Sequence, residues 1–266
     1  MSVVIIIPAR HASTRYPGKP LVPLKGAGGQ ARTLIRRSWD AAMAVPGIDR
    51  VVVATDEERI RDHALGFGAE VVMTATTCRN GTERCAEAIA NLGISPEIVV
   101  NLQGDAPLTP AWFIEDLVRG LRAAPEADLA TPVLNCDGRM RADLIADRRA
   151  GRVGGTTAVF GPDMHALYFT KEVVPFAAGP FADDEETPVH HHVGVYAYRP
   201  DALAAYATWP EGKLEKLEGL EQLRFLEQGR RVQCVRVESQ GREFWELNNP
   251  EDVAKLEAMM ARMGID

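Results

Sequence analysis

The strongest constraint in this sequence is a series of short, unbroken apolar runs. Val3–Ile7 reads VVIII, Arg50–Ala54 reads RVVVA, Glu70–Met73 reads EVVM, and Ile98–Leu102 reads IVVNL. Leu129–Leu134 continues the series. None of the first four alternates polar with apolar, so each reads as a strand buried on both faces. Strands of that kind belong to sheets covered by helices on either side. Helical spacing fills the intervals, at Ala31–Ala44, Glu57–Gly66, Gly81–Asn91 and Trp112–Ala123. The fold class that follows is α/β, with a doubly wound, mostly parallel sheet. Such sheets bind ligands beyond the carboxyl ends of their strands. Here the segments expected to meet there are residues 8–20, Thr55–Asp56 and Gln103–Pro107.

The second half is less regular. Residues 136–157 are polar and glycine-punctuated and read as a mobile connection. Ala166–Phe169 and Gly194–Tyr198 read as strands flanking a Gly/Pro/acidic loop at Ala177–Pro188. Gly219–Glu227 and Pro250–Met263 read as helices, the latter with Asn249 as N-cap and Pro250 at the first helical position. No repeat or linker divides the 266 residues, so a single domain is expected. A net charge of −7 argues against a general nucleic-acid binder but leaves room for one nucleotide in a local basic patch. Val3–Ile7 is far too short to span a membrane. Cys78, Cys85, Cys136 and Cys234 have no CxxC or metal-ligand spacing and read as free thiols. A cytoplasmic protein without membrane partners is the expectation.

Several polar groups fall where chemistry is possible. The loop after the first strand holds Arg10, Ser13, Arg15, Gly18 and Lys19. Small residues and fixed cations at a strand end suit a polyanion, whose phosphates backbone N–H groups and cations can enclose. The loop is neither GxxxxGK[ST] nor GxGxxG. Asp105, in NLQGDAP, follows a buried strand on a glycine turn. It can hold Mg²⁺ against phosphates or simply stabilise the turn. Asn80–Arg84 (NGTER) has the form of a capped helix start carrying an arginine. His190, His191 and His192 suggest a metal by composition alone, but adjacent strand residues point to opposite faces. Tyr196 and Tyr198 share one strand face and suit core packing. Glu218, Glu221 and Arg224 have the spacing of a solvated helix face.

The pattern PARxxSxRxPGKPL at Pro8–Leu21 resembles the nucleotide-binding signature of sugar nucleotidyltransferases. NLQGDAP, NGTER, the run His192–Arg199 (HVGVYAYR), and Leu214-Glu215 followed by Leu220–Arg224 (LEQLR) extend the likeness over essentially the whole chain. The sequence resembles the 3-deoxy-manno-octulosonate (KDO) cytidylyltransferase family, which activates acidic sugars. That resemblance implies nucleotide binding by Pro8, Ala9, Arg10, Ser13, Arg15, Lys19, Asn80, Gly81 and Gln103. It implies catalytic roles for Arg10, Lys19 and Asp105, and acceptor binding by Arg84, His192, Tyr196, Glu221 and Gln222. The implied cofactor is Mg²⁺, on Asp105 and on the position of Asn248. The implied partners are CTP, an acidic acceptor and a second copy of the chain. Residues 1–135 would form the nucleotide part, and residues 160–245 the acceptor and pairing part.

The chain also departs from the family pattern. Ala106 replaces a Glu beside the metal aspartate, Thr157 replaces a Lys, and Lys171 stands where Arg is common. Asn248 replaces the second metal aspartate, and Glu246 lies two residues before it on the same face of an extended segment. An amide oxygen can coordinate Mg²⁺ but brings no charge. Two alternatives to a KDO enzyme therefore stand: a cytidylyltransferase for another small acid (amino-KDO, a sialic-type sugar or a phosphonate), or a CTP-binding relative without turnover.

Overall fold

The structure is a computed structural model that describes residues 2–11, 16–153, 155–243 and 245–266. In chain order the first elements are β1 (Val3–Ala9), β2 (Pro23–Lys25), β3 (Ala31–Thr33), α1 (Leu34–Met43), β4 (Arg50–Thr55), α2 (Glu58–Gly66), β5 (Glu70–Met73), α3 (Gly81–Leu92) and β6 (Ile98–Leu102). Then come α4 (Ala111–Ala123), β7 (Leu129–Asp137), α5 (Gly138–Arg149), β8 (Thr156–Phe160), β9 (Ala166–Thr170), β10 (Glu186–His192) and β11 (Val195–Tyr198). The chain closes with α6 (Pro200–Thr208), α7 (Lys213–Glu218), α8 (Leu223–Glu227), β12 (Val232–Arg236) and α9 (Asp252–Met263). Two compact units emerge. One comprises Met1–Glu115, Tyr198–Ala207 and Ser239–Asp266, the other Asp116–Ala197 and Thr208–Glu238.

The first unit holds parallel strands in the order β5-β4-β1-β6. All seven residues of β1 and all five of β6 are buried, as unbroken apolar runs require. Removing Ile5, Ile6 and Ile7 from water stabilises the sheet by about 1.5–3 kcal/mol each. The order explains the winding. From β1 the chain steps outward to β4 and β5, then crosses back to place β6 on the other side of β1. Right-handed crossovers in opposite directions put their helices on opposite faces and leave a crevice where the order reverses. That reversal lies between β1 and β6. The C-terminal segment belongs to this unit as well: Leu247, Leu256, Met259 and Met260 pack with Leu24, Leu34 and Leu108.

The second unit is mixed. β7 pairs with β12 in parallel and with β10 antiparallel, and β8 and β9 continue antiparallel beyond β10. A smaller core of Cys136, Leu144 and Val189 joins α5 to β7 and β10. His192 ends β10 with its Nε2 2.9 Å from Thr131 Oγ1 and its ring against Phe169 and Tyr196.

Some boundaries differ from expectation for identifiable reasons. The span 31–44 begins as the short strand β3, paired to β2, and turns helical only at Leu34. Residues 138–149 form a helix capped by Asp137, whose carboxylate accepts from the Met140 N–H at 2.7 Å. Its apolar residues make no continuous stripe, so periodicity does not reveal it. The span 219–227 is not one helix. Gly219 ends α7 by donating to the Glu215 carbonyl at 2.7 Å, and helix resumes only at Leu223. Glu218, Glu221 and Arg224 therefore form no solvated face: Arg224 is fully buried and forks onto Glu215 with two 2.6 Å bonds. α9 starts at Asp252 rather than Pro250, and the Asp252 carboxylate accepts from the Asn248 and Asn249 N–H groups at 2.9 and 2.7 Å. β8, α6 and β12 were not evident from the sequence pattern. Among the described residues none of the four cysteines forms a disulfide, and no helix is long and apolar enough to cross a membrane.

Burial pushes the His192 imidazole down to about 3, so it is neutral in the folded protein near pH 7. A histidine with a depressed folded pKa is charged more readily in the unfolded chain. Its stabilising share is complete above pH 6.5 and declines as pH falls toward the folded value. Between pH 6.5 and pH 5 this group should cost about 2 kcal/mol. Urea unfolding at pH 7 and pH 5 should show that loss in the wild type and a smaller one in His192→Phe; equal losses would refute the assignment.

Candidate active site

Where β1 and β6 end, the turn after β6 passes close to the β1 backbone. A Cβ on Gly104 would lie 2.7 Å from the Pro8 carbonyl oxygen, so only glycine fits without moving β1. The turn that follows is fixed on three sides. Ser38 Oγ of α1 donates to the Gly104 carbonyl at 3.0 Å. The Leu247 N–H donates to the Asp105 carbonyl at 3.0 Å, and the Ala106 N–H donates to the Gln103 carbonyl at 3.1 Å. With both carbonyls held, the Asp105 side chain has a defined origin.

Lys19 meets it. Its Nζ donates to Asp105 Oδ2 at 2.6 Å, with side chains 13% and 25% exposed. Lys19 opens a short 3-10 turn, Lys19–Leu21, after Gly18, whose φ of 71° suits glycine. The Gly18 N–H donates back to the His11 carbonyl at 3.1 Å, closing the loop's base. Pro8 and Ala9 end β1, with Ala9 buried, and Arg10 follows exposed. Ser13 and Arg15 lie outside the described residues.

Asn80 caps α3. Its Oδ1 accepts from the Glu83 N–H at 2.9 Å, and its Nδ2 donates to Tyr206 Oη at 2.8 Å. Gly81 begins the helix with Gln103 close by: a Cβ at Gly81 would lie 2.9 and 3.1 Å from the Gln103 amide nitrogen and oxygen. Arg84, one turn into α3, is 2% exposed. It donates to Asp56 Oδ2 at 2.9 Å and to Thr74 Oγ1 at 2.5 Å, which ties together the segments that follow β4 and β5. Its guanidinium is thus engaged in holding strand ends, a role the sequence pattern did not distinguish from ligand contact. Asp56, its charge partner, carried no signal of its own beyond lying at a strand end.

Asn248 sits on the segment that Leu247 anchors to Asp105. Its Nδ2 donates to Glu246 Oε2 at 3.4 Å, so 246 and 248 do share a face. The segment that Leu247 bonds to the Asp105 carbonyl carries Glu246 and the Asn248 amide, which like Asp105 are oxygen-bearing groups of the hardness Mg²⁺ prefers. The Lys19 ammonium already stands against Asp105 as a cation in its own right. These residues fit a divalent ion. Among the described residues no group of three or more His, Cys, Asp and Glu side chains is arranged for a metal, which includes the histidine run.

In the second unit, Tyr196 Oη donates to Gln222 Oε1 at 3.1 Å, and both residues are buried, at 4% and 2% exposure. Gln222 Nε2 is buried without a partner. His192, Tyr196 and Gln222 therefore lie close together, His192 against Tyr196 with ring centroids 5.7 Å apart. Glu221 is half-buried in the turn between α7 and α8.

The chain is similar to several known proteins. The sequence profile described as Cytidylyltransferase matches residues 4–232. The 3-deoxy-manno-octulosonate cytidylyltransferase of Maricaulis maris is 44% identical over 99% of both chains. The 8-amino-3,8-dideoxy-manno-octulosonate cytidylyltransferase of Shewanella frigidimarina is 36% identical over 98% of this chain and 99% of its own. A solved CMP:2-keto-3-deoxy-manno-octonic acid synthetase complexed with CTP superposes with a TM-score of 0.82 at 30% identity, covering 99% of this chain and all of that one. A strand-end loop bearing Lys19, a pinned turn bearing Asp105, and near-complete alignment with these relatives lead to one conclusion: the chain belongs to the cytidylyltransferase family.

Proposed function

We propose that this protein transfers CMP from CTP to KDO, or a close derivative of it, and releases pyrophosphate. The observation that carries this reading is the 44% identity, over 99% of both chains, to a 3-deoxy-manno-octulosonate cytidylyltransferase. The Lys19–Asp105 pair at the β1–β6 reversal supports it. A hydroxyl oxygen of the sugar acid forms the new bond to the α-phosphorus and gives up its proton to water, while the bond from that phosphorus to the bridging β-phosphate oxygen breaks and its electron pair leaves with pyrophosphate. Arg10, Arg15 and Lys19 offset the charge of the triphosphate and of the departing pyrophosphate. Asn80, Gly81 and Gln103 orient the nucleoside. Tyr196, Gln222, Glu221 and the neutral His192 supply hydrogen-bonding groups for the polyol acid. Arg84 acts by holding the strand ends through Asp56 and Thr74. The contribution is positioning and electrostatics, without a covalent enzyme intermediate.

Asp105, with Glu246 and the Asn248 amide, would hold Mg²⁺. When bound, the ion supplies charge that neutralises phosphate oxygens and makes the α-phosphorus more susceptible to attack. A second reading, transfer to the 8-amino sugar acid, is favoured by relatives named for that acceptor at 36–38% identity. Pyrophosphate release with CTP and Mg²⁺ separates the two. KDO should be the better acceptor, and Asp105→Asn should lower the rate by about a hundredfold or more. Turnover only with the amino sugar would select the second reading, and CTP binding without turnover on any sugar acid would point to a non-catalytic relative.

The free protein predicts a further behaviour. Unit charges 4 Å apart interact by about 4 kcal/mol at an effective dielectric near 20, and a divalent ion doubles this. With Lys19 in place the Asp105 carboxylate would hold Mg²⁺ more weakly, and a triphosphate would give the ammonium another anion to pair with. In calorimetric titrations without nucleotide, Lys19→Met should bind Mg²⁺ about tenfold more tightly than the wild type. Unchanged affinity would show that Lys19 does not compete.

The same reading includes a homodimer, supported by the likeness of residues 160–200 to the family's pairing segment. Sedimentation should give a particle of two chains; a monomer at micromolar concentration would exclude it.

A further inference from the structure

Asn101, on β6, is fully buried, and neither its Nδ2 nor its Oδ1 has a hydrogen-bond partner. Nearby polar groups contrast with it. Asn80 is bonded through both amide atoms, and Thr82 Oγ1 lies 2.7 Å from Tyr198 Oη. An amide sealed from water with both ends unmet is a standing cost, and a strand interior can hold an apolar side chain of the same size without it.

The surroundings suggest why an amide is there. A Cβ on Gly81 would lie 3.2 Å from Asn101 Nδ2 and 2.9 Å from Gln103 Nε2. The two carboxamides, at positions i and i+2 of one extended segment, thus border a single space. Gly81 keeps it open by having no side chain. It lies at the start of α3, where backbone N–H groups already favour an anionic or hydroxyl-rich ligand.

We propose that Asn101 is a positioning residue for nucleotide binding that acts through Gln103. When a nucleotide engages one edge of the Gln103 amide, the other edge pairs with Asn101. That pairing holds the Gln103 amide in place at its inner edge. Held there, the amide presents its outer edge to the ligand with less side-chain freedom left to lose. The free protein leaves Asn101 unpaired, and the bound protein satisfies it. This rests on the reading of the β1–β6 reversal as a CTP site.

The test uses two substitutions of equal shape, both suited to a strand: Asn101→Thr retains a hydroxyl and Asn101→Val does not. CTP affinity is measured by calorimetry and ligand-free stability by melting, alongside Gln103→Leu and the Gln103→Leu/Asn101→Val double variant. Asn101→Val should melt at or above the wild-type temperature and bind CTP about tenfold more weakly. Asn101→Thr should recover most of that loss. The double variant should bind no more weakly than Gln103→Leu alone, because the effect passes through Gln103. Equal CTP affinity in the Thr and Val variants would overturn the proposal. So would a lower melting temperature for Val with unchanged affinity, or losses that multiply in the double variant. Absence of CTP binding by the wild-type chain would overturn the nucleotide reading along with it.

Discussion

The first unit depends on one close contact, the approach of Gly104 to the Pro8 carbonyl where β1 and β6 end side by side. Everything chemical in that unit is referred to it. The contact sets where the turn leaves the sheet, and Ser38 and Leu247 then hold the turn's two carbonyls. Asp105 is aimed by a backbone with little freedom left. Lys19 arrives from the other strand end and closes the pair. Two loops far apart in sequence become one electrostatic site because the strand order reverses between their strands.

Buried charge serves this precision in two ways. Arg84 is almost wholly enclosed, and its partners Asp56 and Thr74 come from the ends of β4 and β5. In the second unit Arg224 and Glu215 make an enclosed fork that locks α7 to α8. Buried pairs of this kind are weak evidence for stability and are damaging to break, because removing one partner strands the other's charge. Their value here is geometric. Arg84 holds the ends of β4 and β5 together, and the Glu215–Arg224 fork fixes the turn carrying Glu221 and Gln222. In both places unsatisfied amide atoms remain, on Asn101 and on Gln222 Nε2, amid groups that are otherwise bonded.

The segment carrying Asn248 is held by its surroundings rather than by the side chain at that position. Asn248 keeps an oxygen where a carboxylate would bring charge, and its side chain meets Glu246 on the same face. Asp252 fixes the segment by accepting from the Asn248 and Asn249 N–H groups and from Trp245 Nε1. The segment's position is therefore independent of what stands at 248.

The α/β class, the buried strands and the loops that follow them were legible in the sequence because they depend on local patterns. Unbroken β-branched runs allow few other arrangements, and the loop at Pro8–Leu21 and the turn at Asp105 carried spacing specific enough to suggest their chemistry. Tertiary structure decided the rest. It broke 219–227 at Gly219, since a glycine in left-handed conformation ends a helix whatever the periodicity around it. It made a helix of 138–149 through a cap at Asp137 rather than an apolar stripe. It turned Arg84 and Arg224 from apparent surface cations into enclosed structural ones, because their carboxylates lie 28 and 9 residues away in sequence and meet them only on folding. Spacing along a chain reports which residues can share a face, whereas which charges pair and which amides remain unmet depends on distances that exist only once the strands are side by side.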